Sequence, residues 1–282
     1  MKDATLFSGR VTKMKLACST VLFNQLDLYG TLQHLAWAGY EGAELACLKS
    51  HARHIEPDTH KAYLDDIKWT AKKHGIELLA IHLDAEGNTV EEKIKYVTKM
   101  FEVAQKLNIP VVAIPAGGKT GDKELTKQEF KYIGKLCEQA ESRGITLAVK
   151  YHKGASIYNL ATQIQLLNEV KSPALGVNLD PREIYKAGED YSEVIAKLGK
   201  KIVHTHIRDY PSPEQEPALP EEQILGRGKI DYPLILRNLK RVGYNGALSL
   251  VMVGAFTYPL SKQMGIAAEC RGYLNRCLQE LK

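Results

Sequence analysis

The sequence predicts a single (β/α)8 barrel on three observations. Eight short apolar or β-rich runs recur along the chain, segments of helical period separate them, and a length of 282 residues suits eight such units in one domain. The runs are 15–19, 42–46, 77–83, 111–115, 146–151, 174–179, 202–207 and 247–251. Short strands alternating with longer amphipathic stretches are the pattern of a parallel sheet with crossover helices.

Between the runs, helical spacing covers 57–74, 90–107, 127–143, 157–170, 191–198 and 232–242, and a last helix over 259–281 closes the order. Gly75, Gly144 and Gly243 each follow a last turn containing Lys, Arg or His, the composition of a helix C-terminus. The segment 1–13 reads as a short N-terminal extension and 14–282 as the barrel domain, with no internal repeat or second domain. One Pro/Glu-rich stretch, 210–222, interrupts the seventh unit as a long loop.

Composition narrows the class. A hydrophobic content of 44% with 25% charged residues is ordinary for a globular protein. No apolar run of about 18 residues occurs and the charged N-terminus leads into no apolar block, so a membrane span and a secretory leader are not expected and a cytoplasmic protein is. Cys18, Cys47, Cys137, Cys270 and Cys277 are scattered without CxxC spacing, which argues for reduced structural thiols over disulfides or a zinc cluster. The net charge of +5 is spread through mixed Lys/Glu helices and gives no nucleic-acid face.

Strand parity then locates the chemistry, because alternate side chains in a barrel face the helices or the lumen. The fifth run turns Leu147, Val149 and Tyr151 outward and Ala148, Lys150 and His152 inward. The sixth turns Gly176, Asn178 and Asp180 inward. The seventh sends Val203, Thr205 and Ile207 outward and His204, His206 and Arg208 inward, and the eighth turns Ser249 and Val251 inward. Glu44 ends the second run inward, and His82 shares a face with Ala80. Polar residues therefore converge at the C-terminal end of one lumen, where barrel enzymes keep their active sites.

The strings LAVKYHKG (147–154), GVNLDPREI (176–184), IVHTHIRD (202–209) and ILGRGKIDYPLILRNLKRVGYNGALSLV (224–251) resemble the xylose isomerase-like barrel superfamily of sugar phosphate isomerases and epimerases. The last is the most specific, with its Gly226-x-Gly228-x-x-Asp231 loop and the turn into a final strand. The resemblance runs from about Met14 to the C-terminus. It implies a small carbohydrate as substrate and a divalent metal held by Glu, Asp, His and Glu at the ends of the fifth to eighth strands. Asp180 and His206 match two of those positions, but Lys150 and Val251 stand where the glutamates belong, and Glu183 stands where relatives often carry His.

Those departures bear on chemistry. A Mn, Mg or Zn ion needs several oxygen or nitrogen donors, preferably anionic, whereas an ammonium donates only and repels a cation. No metal is expected unless a displaced site forms from Glu44, His82, Asp180, Glu183 and His206. Epimerisation by two metal-bound glutamates needs groups within hydrogen-bond reach, and both are missing. Lys150 has three readings: an ion pair with Asp180, an actor on a carbonyl or enolate as a fixed charge or, when neutral, as a base or Schiff-base nucleophile, or a residue of a chemically dead barrel that only binds sugar.

Lys150, His152, Asp180 and His206 are thus the catalytic candidates, and Glu44, His82, Glu183, Arg208 and Arg227 the substrate-binding ones. His204 reads as a core histidine and Asp209 as a loop anchor. His51, His54 and His60 are solvated or substrate-facing, and Gly117 and Gly118 permit close backbone approach. The functions in view are isomerisation, enolisation or elimination on a small carbohydrate or polyol, a metal-dependent isomerase with a displaced site, or a non-catalytic sugar-binding protein. A small carbohydrate is the expected partner, with no nucleic acid and no membrane, and a homo-oligomer stays open.

Overall fold

The computed structural model describes residues 14–281 apart from 215 and 218. The expected N-terminal extension, 1–13, lies outside the described residues.

Eight parallel strands close into a barrel: β1 (Lys15–Ser19), β2 (Gly42–Leu48), β3 (Glu77–Leu83), β4 (Val111–Pro115), β5 (Thr146–Lys150), β6 (Leu175–Leu179), β7 (Ile202–Ile207) and β8 (Ala247–Leu250). Each pairs with the next, and β1 pairs with both β2 and β8, which completes the ring. A two-residue strand, Ala52–Arg53, folds back antiparallel on the end of β2. Two residues are too few to carry a periodic signal.

The helices are α1 (Leu28–Trp37), α2 (Lys61–His74), α3 (Val90–Leu107), α4 (Lys123–Glu141), α5 (Leu160–Glu169), α6 (Pro181–Ala187), α7 (Tyr191–Leu198), α8 (Tyr232–Arg241) and α9 (Leu260–Gln279). α4 starts before the apolar period does, because the Asp122 side chain accepts the Leu125 N–H at its N-terminus. α6 is too short for a clear period. It is set by Asp180, whose carboxylate accepts the Arg182 N–H, and by Pro181 at the first position. Gly75 ends α2 at φ 68°, a left-handed conformation that favours glycine.

Inward and outward side chains alternate as expected through most of the barrel. Leu147, Val149, Val177 and Leu179 lie in the core between strands and helices, while Ala80, Val111, Ala113 and Ala148 form a separate lumen cluster. Val203 is a correction. The register of β6 against β7 shifts so that Val177 faces Ile202 and Asn178 faces His204, skipping Val203. Val203 consequently packs against the lumen cluster, over the space left by Gly176, where a Cβ would lie 2.4 Å from a Val203 methyl. The bulge leaves His204 and His206 pointing inward as expected. The five cysteines are free and buried.

Candidate active site

A cavity of about 750 Å³ opens at the C-terminal end of the barrel. Its wall includes His82, Lys150, His152, Arg182, Arg208 and Val251, side chains from β3 and from the strand ends and loops after β5 to β8. Lys150, at the last position of β5, is 6% exposed and sits between the other polar strand ends. Its Nζ lies 3.4 Å from Asp180 Oδ2 and 3.5 Å from His206 Nδ1. Arg208 Nη2 faces the same Asp180 oxygen at 3.6 Å, so one carboxylate is shared by two cations. Burial works against ionisation of Asp180, yet Lys150, and after it Arg208, hold its carboxyl well below the usual carboxylate range.

Beneath this layer Glu44 gathers the histidines. It is fully buried at the middle of β2. Its Oε2 accepts from His204 Nε2 at 2.5 Å and from His206 Nε2 at 3.0 Å, and its Oε1 lies 3.8 Å from His82 Nδ1. Burial would raise the Glu44 pKa, but the His206 ring, by charge and by its N–H, together with His204, keeps it well below the ordinary value. Burial lowers His206, with Lys150 adding to the effect, and lowers His82 strongly, with His206 adding there. Glu44 is therefore ionised, and burial disfavours the charged forms of His82 and His206 beside it.

That network assigns a tautomer. With Nε2–H committed to Glu44, His206 turns the lone pair of Nδ1 toward the Lys150 ammonium. Asn178 Nδ2 lies 3.0 Å from the same Nε2, and its Oδ1 is buried without a partner. Glu44, His206, Lys150 and Asp180 thus form one continuous line from the lumen to the cavity.

The other expected residues separate into groups. His152 stands on the cavity wall, its Nδ1 2.8 Å from the Lys153 carbonyl. Glu183 turns away from the cavity, pairing with Arg182 Nη1 at 2.6 Å and accepting the Lys153 N–H at 3.2 Å. Arg227 is half-exposed and pairs with Glu269 at 2.8 Å, outside the cavity wall. Position alone removes both from direct reach of a molecule bound there. His51 lines the cavity, whereas His54 is held by Thr20 and the Leu26 carbonyl. His60 precedes α2 without capping it. Asp209 anchors the following loop by accepting from the Tyr210, Gly226 and Ile230 N–H groups. Gly117 and Gly118 line a neighbouring cavity of about 310 Å³.

Two site residues carried no signal in the strand pattern. Arg182 lies 4.8 Å over the Tyr210 ring and bonds Glu216, a residue of the long loop, at 2.8 Å. The sequence gives only their types: an Arg after Asp-Pro, and acidic residues in a Pro-rich loop.

The donor set can be tested for a divalent ion. At the four strand ends the ammonium of Lys150 lies within 3.5 Å of both remaining ligand types and Val251 offers none, so an ion does not fit there. Glu44, His82 and His206 form a different group, all buried, with ligand atoms within 4.8 Å of one another. Of the displaced set expected from the sequence, Asp180 lies across Lys150 and Glu183 points elsewhere. Glu44 Oε1 and His82 Nδ1 are buried without hydrogen-bond partners.

The same network sets a pH dependence of stability. His82 and His206 titrate below the ordinary 6.5 in the folded state, so the unfolded chain takes up those protons first. Glu44 and Asp180 likewise lie below 4.5 and 3.8. All four depressed values give stability that is present above the unfolded pKa and lost as pH falls toward the folded one. Urea midpoints measured in a chelator from pH 8 to 5 should stay level to about 6.5 and then fall. A midpoint that rises between pH 7 and 5.5 would contradict the lowering of both histidines.

Comparison with known proteins comes to the same architecture. A family model described as xylose isomerase-like TIM barrel matches residues 32–267. An inosose isomerase from Halalkalibacterium halodurans is 24% identical over 262 residues, covering 88% of this chain and 90% of that protein. A fructoselysine 3-epimerase from Escherichia coli O157:H7 is 22% identical and covers 85% and 90%. Among solved structures, a xylose isomerase domain protein from Alicyclobacillus acidocaldarius superposes with a TM-score of 0.78 at 17% identity, over 94% of this chain and 98% of that one. That last likeness speaks to the fold alone.

Proposed function

This chain belongs to the xylose isomerase-like TIM barrel family, and from that premise we propose that it isomerises, epimerises or dehydrates a small keto-sugar or polyol by enolisation, with Lys150 as the charge that stabilises the enolate. One observation carries the reading. The Lys150 ammonium, buried at the cavity floor, lies between Asp180 and His206 at 3.4 and 3.5 Å, where a cation can meet a developing oxyanion.

The steps follow from the groups present. A substrate carbonyl oxygen set against Lys150 Nζ gains negative charge as the neighbouring C–H bond breaks and its electron pair moves into the enolate. The proton goes to an imidazole on the wall, His82 or His152. Its return to the former carbonyl carbon, with the proton of the neighbouring enediol hydroxyl passing to the former carbonyl oxygen so that the second carbon becomes the carbonyl, gives isomerisation; delivery of a proton to the opposite face of the original carbon gives epimerisation. Collapse of the enolate with expulsion of a β-hydroxyl, protonated by the imidazolium and leaving as water, gives elimination. Asp180 and the Glu44–His206 pair act as positioning groups that hold the ammonium in place. The inosose isomerase and the fructoselysine 3-epimerase among the relatives support a carbonyl-bearing carbohydrate as the substrate class.

A second reading rests on the unpartnered Glu44 Oε1 and His82 Nδ1. With His206 they would hold a divalent ion, which supplies Lewis-acid polarisation of a carbonyl. The discriminating experiment incubates EDTA-dialysed, metal-analysed protein with inososes and free and phosphorylated keto-sugars in D2O. We expect deuterium at the carbon next to the carbonyl without added metal. Exchange that appears only on restoring Mn, Mg or Zn would sink the Lys150 reading in favour of the triad. Borohydride trapping in the same mixtures tests the covalent variant, which predicts an adduct on Lys150.

A further inference from the structure

Three cations face the cavity, and two of them are arginines. Lys150, Arg182 and Arg208 face the space as cations, against Asp84 and Glu216 as anions. Arg208 shares the single Asp180 Oδ2 with Lys150. Arg182 is 7% exposed and bound to Glu183 on one side and Glu216 on the other. Both guanidinium groups nevertheless keep a buried Nε–H with no acceptor. Unmet donors on cations are costly to maintain, and both arginines line the cavity, where an oxyanion with two or three acceptor oxygens can accept from a guanidinium.

Glu216 shows what Arg182 accepts. Its two oxygens lie 3.1 and 2.8 Å from Arg182 Nη2, and one also meets Lys186. Hydrogen bonds from Lys186 and Tyr210, with the charge of Arg182, outweigh its partial burial and bring its carboxyl down to about 2. Yet the Glu216 side chain is 65% exposed, unlike the 8% of Arg182 and Lys186. A solvent-facing carboxylate is more cheaply exchanged for another anion than a buried one.

We propose that the substrate is an anionic polyol, and that its carboxylate or phosphate binds Arg208 and Arg182 in exchange for Glu216. This inference rests on the cavity being the substrate site. It orients the molecule, because an anchor at Arg208 and Arg182 brings the uncharged end of the chain toward Lys150 and the wall imidazoles. The planar guanidinium fork suits both a carboxylate and a phosphate.

Titration calorimetry at constant ionic strength with gluconate, sorbitol 6-phosphate and sorbitol tests it. At least one anionic probe should bind about 10-fold or more tightly than sorbitol, and which one does so identifies the group. Arg208→Gln should erase that preference, with circular dichroism and melting temperature confirming the fold. Glu216→Gln, a change at an exposed carboxylate, should tighten the preferred anion several-fold by removing its competitor. Equal affinity for all three probes, or a Glu216→Gln protein with unchanged anion affinity, would overturn the proposal. Binding and turnover separate the two ideas: Lys150-dependent exchange without anion preference refutes the anchor and leaves the enolisation reading intact. An anion preference without Lys150-dependent exchange supports the anchor while refuting the catalysis.

Discussion

Lys150→Ala should lower the rate of deuterium exchange on the preferred keto-sugar by about 10³-fold, with Lys150→Arg recovering little of it. A single preorganised donor facing a developing oxyanion is worth roughly 10² to 10³ in rate, and the buried position of Lys150, 6% exposed, places it at the upper end. Arginine brings the charge but not the shape. A guanidinium at the end of β5 cannot occupy the point between Asp180 Oδ2 and His206 Nδ1 that the ammonium fills. The effect on folding should be smaller. Removing one partner of a buried pair costs about 3 to 5 kcal/mol when it strands a charge, but Asp180 keeps Arg208 at 3.6 Å and the Arg182 N–H at 3.1 Å, which reduces the loss to about 1 to 3 kcal/mol. Exchange rates and urea midpoints on the same preparation separate the two effects. Full activity in a folded Lys150→Ala protein would make Lys150 a structural counter-ion to Asp180, and the enolate assignment would fail.

How much of this was legible in the sequence follows from how local each signal is. Strand parity is local, so the inward placement of Lys150, Asp180 and His206 could be read from alternation within runs of five or six residues. It failed at Val203 because a bulge is a property of two strands in register, here β6 against β7, and neither strand alone records it. Glu44 was legible as an inward residue but not as the hub of a network. Its partners His204 and His206 stand 160 and 162 residues away, and a carboxylate on a strand interior is equally compatible with a rim ligand. Arg227 shows the reverse. A glycine-flanked arginine suggests a loop that meets a ligand, but its nearest acid, Glu269 on α9, claims both nitrogens of the fork.

The strongest test of the buried network is Glu44→Gln. Glutamine keeps the volume and one acceptor but places an NH2 where Oε1 or Oε2 lay. His204 and His206 both donate to Oε2, so a glutamine with its oxygen there keeps both bonds and turns its NH2 to the unpartnered Oε1 side, toward His82 Nδ1; what it removes is the negative charge. His206 keeps its proton on Nε2 in either case, because moving it to Nδ1 points that N–H at the Lys150 ammonium 3.5 Å away. The change should therefore cost about 1 to 2 kcal/mol in a fully buried site, the difference between charge-assisted and neutral hydrogen bonds, and slow exchange by roughly 10-fold through the looser positioning of Lys150. Nitrogen-15 shifts of the His206 ring report the tautomer directly, independent of turnover. Unchanged stability with exchange equal to the parent's would show that Glu44 fills space in the lumen without holding the groups above it. Loss of stability with exchange unchanged would locate its contribution in His204 and the barrel floor, leaving Lys150 to act without support beneath it.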